Sequence, residues 1–210
     1  YETPKVVVFN VLAMKYNEPQ SEAYNRMSID GMKMSSSKIG AIQASMTEEE
    51  NMLDYIFPIL RYHSRWSDLS GEDVEYMFYK DKVSHNGYYM RVDVRPADGF
   101  PEPEKLSDYT LGDKAMEYLD KMRELCEENG IELVLVKSPS LYPHWYDEWD
   151  EQIVEYADKY GLDYFNYEKM ANEIGIDYNT DTYDAGLHLN LAGAEKLSKY
   201  FGEYLIENYD

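Results

Sequence analysis

The sequence predicts a three-layer α/β/α fold, a mainly parallel sheet with helices on both faces and an irregular insertion in the middle. Two observations carry this. The runs "KVVVFNVL" (residues 5–12), "IELVLV" (131–136) and "LDYFNY" (162–167) are almost continuously apolar, β-branched or aromatic. They lack the strict alternation of a half-exposed strand, so each reads as a strand buried on both faces. Segments of helical period lie between and after them, and strands that alternate with helices build parallel sheets. A chain of 210 residues can bury one sizeable core, which predicts one domain over 1–210 with an insertion or lid at 64–110.

The first strand begins close to Tyr1, which suggests a segment preceding it. Ile39, Ile42 and Met46 mark a short helix over about 36–46. Thr47-Glu48-Glu49-Glu50 has the form of a capping box, which predicts a second helix through Met52, Leu53, Ile56 and Leu60, kinked by Pro58. "WSDLSGEDVEYMF" reads as a short helix, and "GYYMRVDVRPADGFPEPE" as a strand followed by a Pro-rich loop. Met116, Leu119, Met122 and Leu125 then define a helix that stops at Asn129-Gly130. A helix over about 147–160 ends at Gly161, and Leu191 to Ile206 form the last one.

The formal charge is −21, from 41 acidic against 20 basic residues. Such a field repels phosphate backbones and anionic lipid, so no nucleic-acid partner is expected. No apolar run has the length of a membrane span and no signal peptide is visible. Cys126 stands alone, which excludes an intrachain disulfide, and its helical neighbours Met122 and Leu125 mark it as a small buried hydrophobe. Histidines at 63, 85, 144 and 188 have no metal-ligand spacing, and no Gly-rich phosphate loop occurs, so no metal or cofactor is predicted. "GMKMSSSKIG" (31–40) looks like the KMSKS loop of class I aminoacyl-tRNA synthetases, but no HIGH-like motif precedes it. Its serines instead suit the start of the Ile39 helix.

Ligand sites in parallel sheets lie beyond the carboxyl ends of the strands. The segment richest in chemistry is "DTYDAGLHLNLAGAEKLSKY" (181–200), where two aspartates and a histidine share one loop before a helix that Asn190 is placed to cap. A histidine oriented by a nearby carboxylate is the arrangement of a general base. The same pair would serve equally to tie the loop.

Asp184-Ala-Gly-Leu-His188-Leu-Asn190-Leu-Ala-Gly193 resembles the last block of the SGNH (GDSL-like) hydrolases, in which Asp and His near the C-terminus complete a Ser-His-Asp triad. "PKVVVFNV", "PILRYHSRW" and "HLNLAGAEKLSKYFGEYL" look like the branch of bacterial envelope proteins related to D-alanyl-lipoteichoic acid biosynthesis and alginate O-acetylation. The resemblance implies an SGNH-hydrolase-like, flavodoxin-like fold, with His188 as base and Asp184 as its orienting acid. It further implies a serine esterase or O-acyltransferase acting on acylated carbohydrate or a cell-wall polymer at the cell envelope, outside the cytoplasm. A non-catalytic binding or scaffold protein of the same fold is the alternative.

Two features depart from that family. The spacing is Asp-x-x-x-His rather than Asp-x-x-His, which leaves Asp181 as a second possible partner for His188. No Gly-Asp-Ser or Gly-x-Ser-x-Gly is present, so the nucleophilic serine is expected outside this chain, leaving these 210 residues alone inactive. Ser138 follows a strand, but Pro139 precludes a nucleophile elbow, and Ser84 beside His85 lacks an orienting acid. Asn10 is a candidate oxyanion donor or a strand-end hydrogen bonder. The resemblance brings His63 and Arg65 to the active-site face as substrate-binding candidates, where Arg65 would hold an anionic substrate group or instead form a surface ion pair. Trp145, with Tyr142, His144 and Trp149 in "SPSLYPHWYDEW", is either a sugar-stacking residue or a packed loop anchor.

Overall fold

Parallel pairing brings the three apolar runs side by side. A computed structural model describes residues 3–19, 22–57, 68, 70–72, 75, 88–98 and 102–209. Strands β1 (Val6–Asn10), β2 (Glu132–Lys137) and β3 (Asp163–Asn166) form an all-parallel sheet in the order β1-β2-β3. Val8 lies opposite Val134, and Val136 opposite Phe165. The continuous apolar character of β2 follows from its central place, because Leu133 to Val136 are buried on both faces.

Contacts divide the chain into two compact units, residues 1–17 with 88–210, and residues 18–87. The first holds the sheet. Leu133 and Leu135 face one layer, where helix α4 (Asp113–Asn129) supplies Leu119 and Cys126, and α5 (Asp147–Tyr160) supplies Ile153 and Tyr156. Val134 and Val136 face the other, packed with Tyr167 against Leu197, Tyr200 and Phe201 of α7 (Leu191–Tyr209) and Ile174 of α6 (Ala171–Ile174). Each fully buried aliphatic such as Leu135 or Ile153 is worth roughly 1.5–3 kcal/mol over its exposed state. Burial also raises the pKa of the Cys126 thiol, as befits a core residue.

Helix ends follow the local chemistry. Gly130 (φ 65°) and Gly161 (φ 66°) end α4 and α5 in the left-handed region, as the sequence predicts for both. The start of α4 takes its cap from a distant residue. Asn17 Oδ1 accepts from the N–H groups of Lys114 (2.9 Å) and Ala115 (3.2 Å), and a Cβ at Gly112 would meet the Asn17 side chain at 2.2 Å.

The second unit contains α1 (Glu22–Ile29), α2 (Ser36–Ser45) and α3 (Met52–Ile56) around Ile29, Ile42 and Tyr55. Ser35 Oγ accepts from the Lys38 N–H at 3.2 Å, so the serine run does cap α2. The buried Lys38 ammonium donates to the carbonyls of Asp30 (3.3 Å) and Met32 (3.0 Å), which satisfies the exit from α1. Ser35 and Lys38 of the "KMSSSK" stretch thus have structural roles.

Two element boundaries differ from expectation. The Thr47 N–H does donate to Glu50 Oε2 (2.6 Å), but the segment closes as a turn; α3 begins only at Met52, where Asn51 Oδ1 accepts from the Leu53 N–H at 2.9 Å. Asn51 is the stronger cap, and its position resets the helix start. Residues 88–98 form no strand and group with the α/β unit. Their backbone groups bond instead to the C-terminal loop, with the Arg95 N–H donating to the Thr182 carbonyl (2.9 Å) and the Leu191 N–H to the Arg91 carbonyl (2.7 Å). Pro58 and most of "WSDLSGEDVEYMF" lie outside the described residues.

Candidate active site

The loop from 177 to 190 is held from inside, which leaves one histidine facing outward. Asp181 is buried; its Oδ2 accepts from the Asp177 N–H (2.8 Å) and from Lys196 Nζ (2.6 Å). Burial opposes ionisation there, but the Asp177 N–H and the Lys196 ammonium outweigh it and keep the carboxyl below the usual range. Thr182 Oγ1 donates to the Arg95 carbonyl (2.9 Å), with the Tyr178 carbonyl also within reach (3.1 Å), and accepts from the Gly186 N–H at 3.1 Å. Asn190 Oδ1 accepts from the Gly193 N–H (3.1 Å), while its amide donates to the carbonyls of Thr180 (2.8 Å) and Asp93 (3.1 Å). A Cβ at Gly193 would stand 2.5 Å from the Asp181 carbonyl, so only glycine permits this close approach.

Asp184 is the partner of His188. Oδ1 accepts from the His188 N–H at 2.7 Å, and Oδ2 lies 2.6 Å from Nδ1. Ala185 (φ 64°) and Gly186 (φ 95°) both adopt left-handed backbone, and this turn brings Asp184 back to His188 across three intervening residues. In the neutral imidazole, a proton on Nδ1 facing the Asp184 carboxylate places the lone pair on Nε2. The histidine side chain is 65% exposed. Tyr183 stacks on the imidazole at 5.8 Å between centroids, and the Arg91 guanidinium lies 5.1 Å from the Tyr183 ring. Sequence reasoning missed Arg91 and Tyr183, because only the return of 88–98 along the loop brings Arg91 there.

The carboxyl ends of the strands form a connected polar layer. Asn10 Nδ2 donates to Ser138 Oγ at 3.1 Å, and Asn10 Oδ1 accepts from the Leu12 N–H. The fully buried Lys137 ammonium donates to Glu168 Oε2 (2.7 Å), to the carbonyls of Ser138 (2.8 Å) and Ser140 (3.1 Å), and to Ser140 Oγ (3.2 Å). Burial lowers its pKa, with the Glu168 carboxylate opposing. The loops after all three strands, through Lys15, Leu141 to His144 with Tyr146, and Glu168, line a cleft of about 630 Å³. That loop meets the histidine loop directly, since the Leu141 N–H donates to the Gly186 carbonyl at 2.9 Å.

Of the two readings of Trp145, its surroundings are those of a packed loop anchor. It is 5% exposed, and its Nε1 donates to the buried Asp150 carboxylate at 3.2 Å. The rings of the same loop that line the cleft are Tyr142, His144, Tyr146 and, from α5, Trp149. The alternating orientation of the loop decides which rings turn inward, and composition does not reveal it. His63, Arg65, Ser84 and His85 lie outside the described residues. Among the described residues no group of three or more His, Cys, Asp or Glu side chains is placed to hold a metal ion, and no helix is long and apolar enough to cross a membrane. No protein-family model, curated protein or solved structure matches this chain.

Proposed function

We propose that this chain supplies the acid–base half of an SGNH-type acyl-transfer or ester-hydrolysis site acting on acylated carbohydrate of the cell envelope. The observation that carries the reading is the Asp184 carboxylate 2.6 Å from His188 Nδ1, which leaves Nε2 as an accessible base. A serine hydroxyl would transfer its proton to Nε2 while its oxygen attacks the ester carbonyl. The imidazolium, stabilised by Asp184, would then protonate the departing alkoxide. The nucleophilic serine is proposed to come from outside these 210 residues, because the sequence holds no Gly-Asp-Ser or Gly-x-Ser-x-Gly turn, Ser138 is engaged with Asn10 and Ser140 is 4% exposed. Asn10, at the end of β1, is available as an oxyanion donor once its bond to Ser138 is exchanged for substrate.

Turnover of an aryl acetate tests this. The 210-residue chain alone should give none, whereas the chain with its native flanking residues should give turnover that is lost in His188→Ala. Turnover by both forms, unaffected by His188→Ala, would place the nucleophile and base elsewhere.

A second reading is a binding protein of the same fold. It is favoured by the fact that, among the described residues, no serine hydroxyl bonds to His188. Flanking residues that carry no serine turn after an apolar strand would select it.

A further inference from the structure

We infer that the cleft over the carboxyl ends of the strands binds a short oligosaccharide that carries protonated amino groups. Three features of the lining select this chemistry.

The first is a fixed aromatic wall. Tyr146 meets His144 (4.7 Å, 83°), Trp149 (4.7 Å, 83°) and Tyr109 (5.1 Å, 71°) edge to face. The Tyr146 hydroxyl also donates to the Glu104 carbonyl at 2.6 Å. Rings held by one another lose little freedom when a flat apolar sugar face packs on them. Tyr142, 46% exposed, offers a further ring at the cleft.

The second is charge. Glu102, Glu104 and Glu168 line the cleft, against Lys15 as the cation among the described lining residues. Glu168 already accepts from Lys137, and the Lys15 ammonium lies 4.5 Å from the Tyr16 ring. Neither Glu102 nor Glu104 forms an ion pair with a described residue. Two carboxylates without a cationic partner among the described residues, beside aromatic rings, favour a ligand with both ring faces and positive charge, and disfavour an anionic polymer.

The third is size. A volume of about 630 Å³ lies within the ~300–1,000 Å³ of small-ligand sites, which suits a few sugar units. The lining includes neither His188 nor Asp184, so occupancy of the cleft does not rest on the proposed acyl chemistry, and binding can succeed where turnover fails.

The test is titration of the 210-residue protein with a short glucosamine oligosaccharide, its fully N-acetylated counterpart and a lysine oligomer of equal charge, followed by tryptophan fluorescence and calorimetry. The glucosamine oligosaccharide should bind about tenfold more tightly than the N-acetylated form, and more weakly as salt is raised. Tyr142→Ala should weaken it about threefold to tenfold, and Glu102→Gln with Glu104→Gln by a similar factor, without moving the melting temperature. The lysine oligomer should be insensitive to Tyr142→Ala. Equal or tighter binding of the N-acetylated form, or sugar affinity unchanged in Tyr142→Ala, would overturn the assignment.

Discussion

Asp184 grips His188 twice, through Oδ1 to its backbone N–H at 2.7 Å and through Oδ2 to Nδ1 at 2.6 Å. One carboxylate therefore sets both the course of the loop and the tautomer of the ring. The neighbouring Asp181 has a different task, as the buried counter-ion of Lys196.

These separate roles predict different phenotypes. Asp184→Asn should leave the melting temperature nearly unchanged and lower the rate of any His188-dependent acyl chemistry by up to about 10⁴-fold, as loss of the orienting acid does in serine hydrolases. Asp181→Asn should instead destabilise the fold by about 1–3 kcal/mol, since it weakens the buried acceptor of the Asp177 N–H and removes the charge facing the half-exposed Lys196 ammonium. Urea denaturation and rate measurements on both variants check this, and a reversed pattern would exchange the two assignments.

Gly193→Ala should destabilise the protein by about 1–3 kcal/mol, because its Cβ would stand 2.5 Å from the Asp181 carbonyl, which is backbone and can move little. A thermal melt measures it. A neutral result would mean that the loop and the start of α7 can separate without cost.

Much of this architecture is legible in the sequence, and its limits have physical causes. β2 is visible because Leu133 to Val136 are buried on both faces, and α4 and α5 because their glycine stops demand left-handed backbone. The Asp184–His188 pair is visible because it is local. The Lys137–Glu168 pair and the capping of α4 by Asn17 are not, since each joins residues that are neighbours only after the sheet forms. Trp145 and Trp149 illustrate the same limit: both are aromatic and four residues apart, yet Trp145 turns inward to donate to Asp150 while Trp149 lines the cleft.

Asp150 predicts acid sensitivity. Burial raises its pKa, but Lys169 Nζ (2.8 Å), the Tyr164 hydroxyl (2.5 Å), Asn166 and Trp145 together hold it below the usual range. The folded state therefore prefers the ionised carboxyl. The resulting stability is present above the ordinary carboxylate pKa of about 3.9 and is lost as pH falls through the lower folded value. In denaturation across pH 2–6, Asp150→Asn should be less stable at the upper end and show a shallower acid loss. An identical slope in both proteins would remove Asp150 from that role.

Lys137→Met should perturb the cleft as well as stability. Glu168 would lose its cation, and the carbonyls of Ser138 and Ser140 a common donor, for a predicted cost of about 3–5 kcal/mol. Tryptophan fluorescence should report the displaced loop through Trp149, and an unchanged spectrum would show that the loop holds without Lys137.

The central claim is that His188 is the base for a serine nucleophile. Labelling of the protein with its native flanking residues by a fluorophosphonate probe tests it most directly. The account predicts a labelled serine outside these 210 residues in the wild type, with labelling abolished in His188→Ala. Absence of labelling in the wild type where a known serine esterase reacts, or equal labelling of His188→Ala, would contradict it.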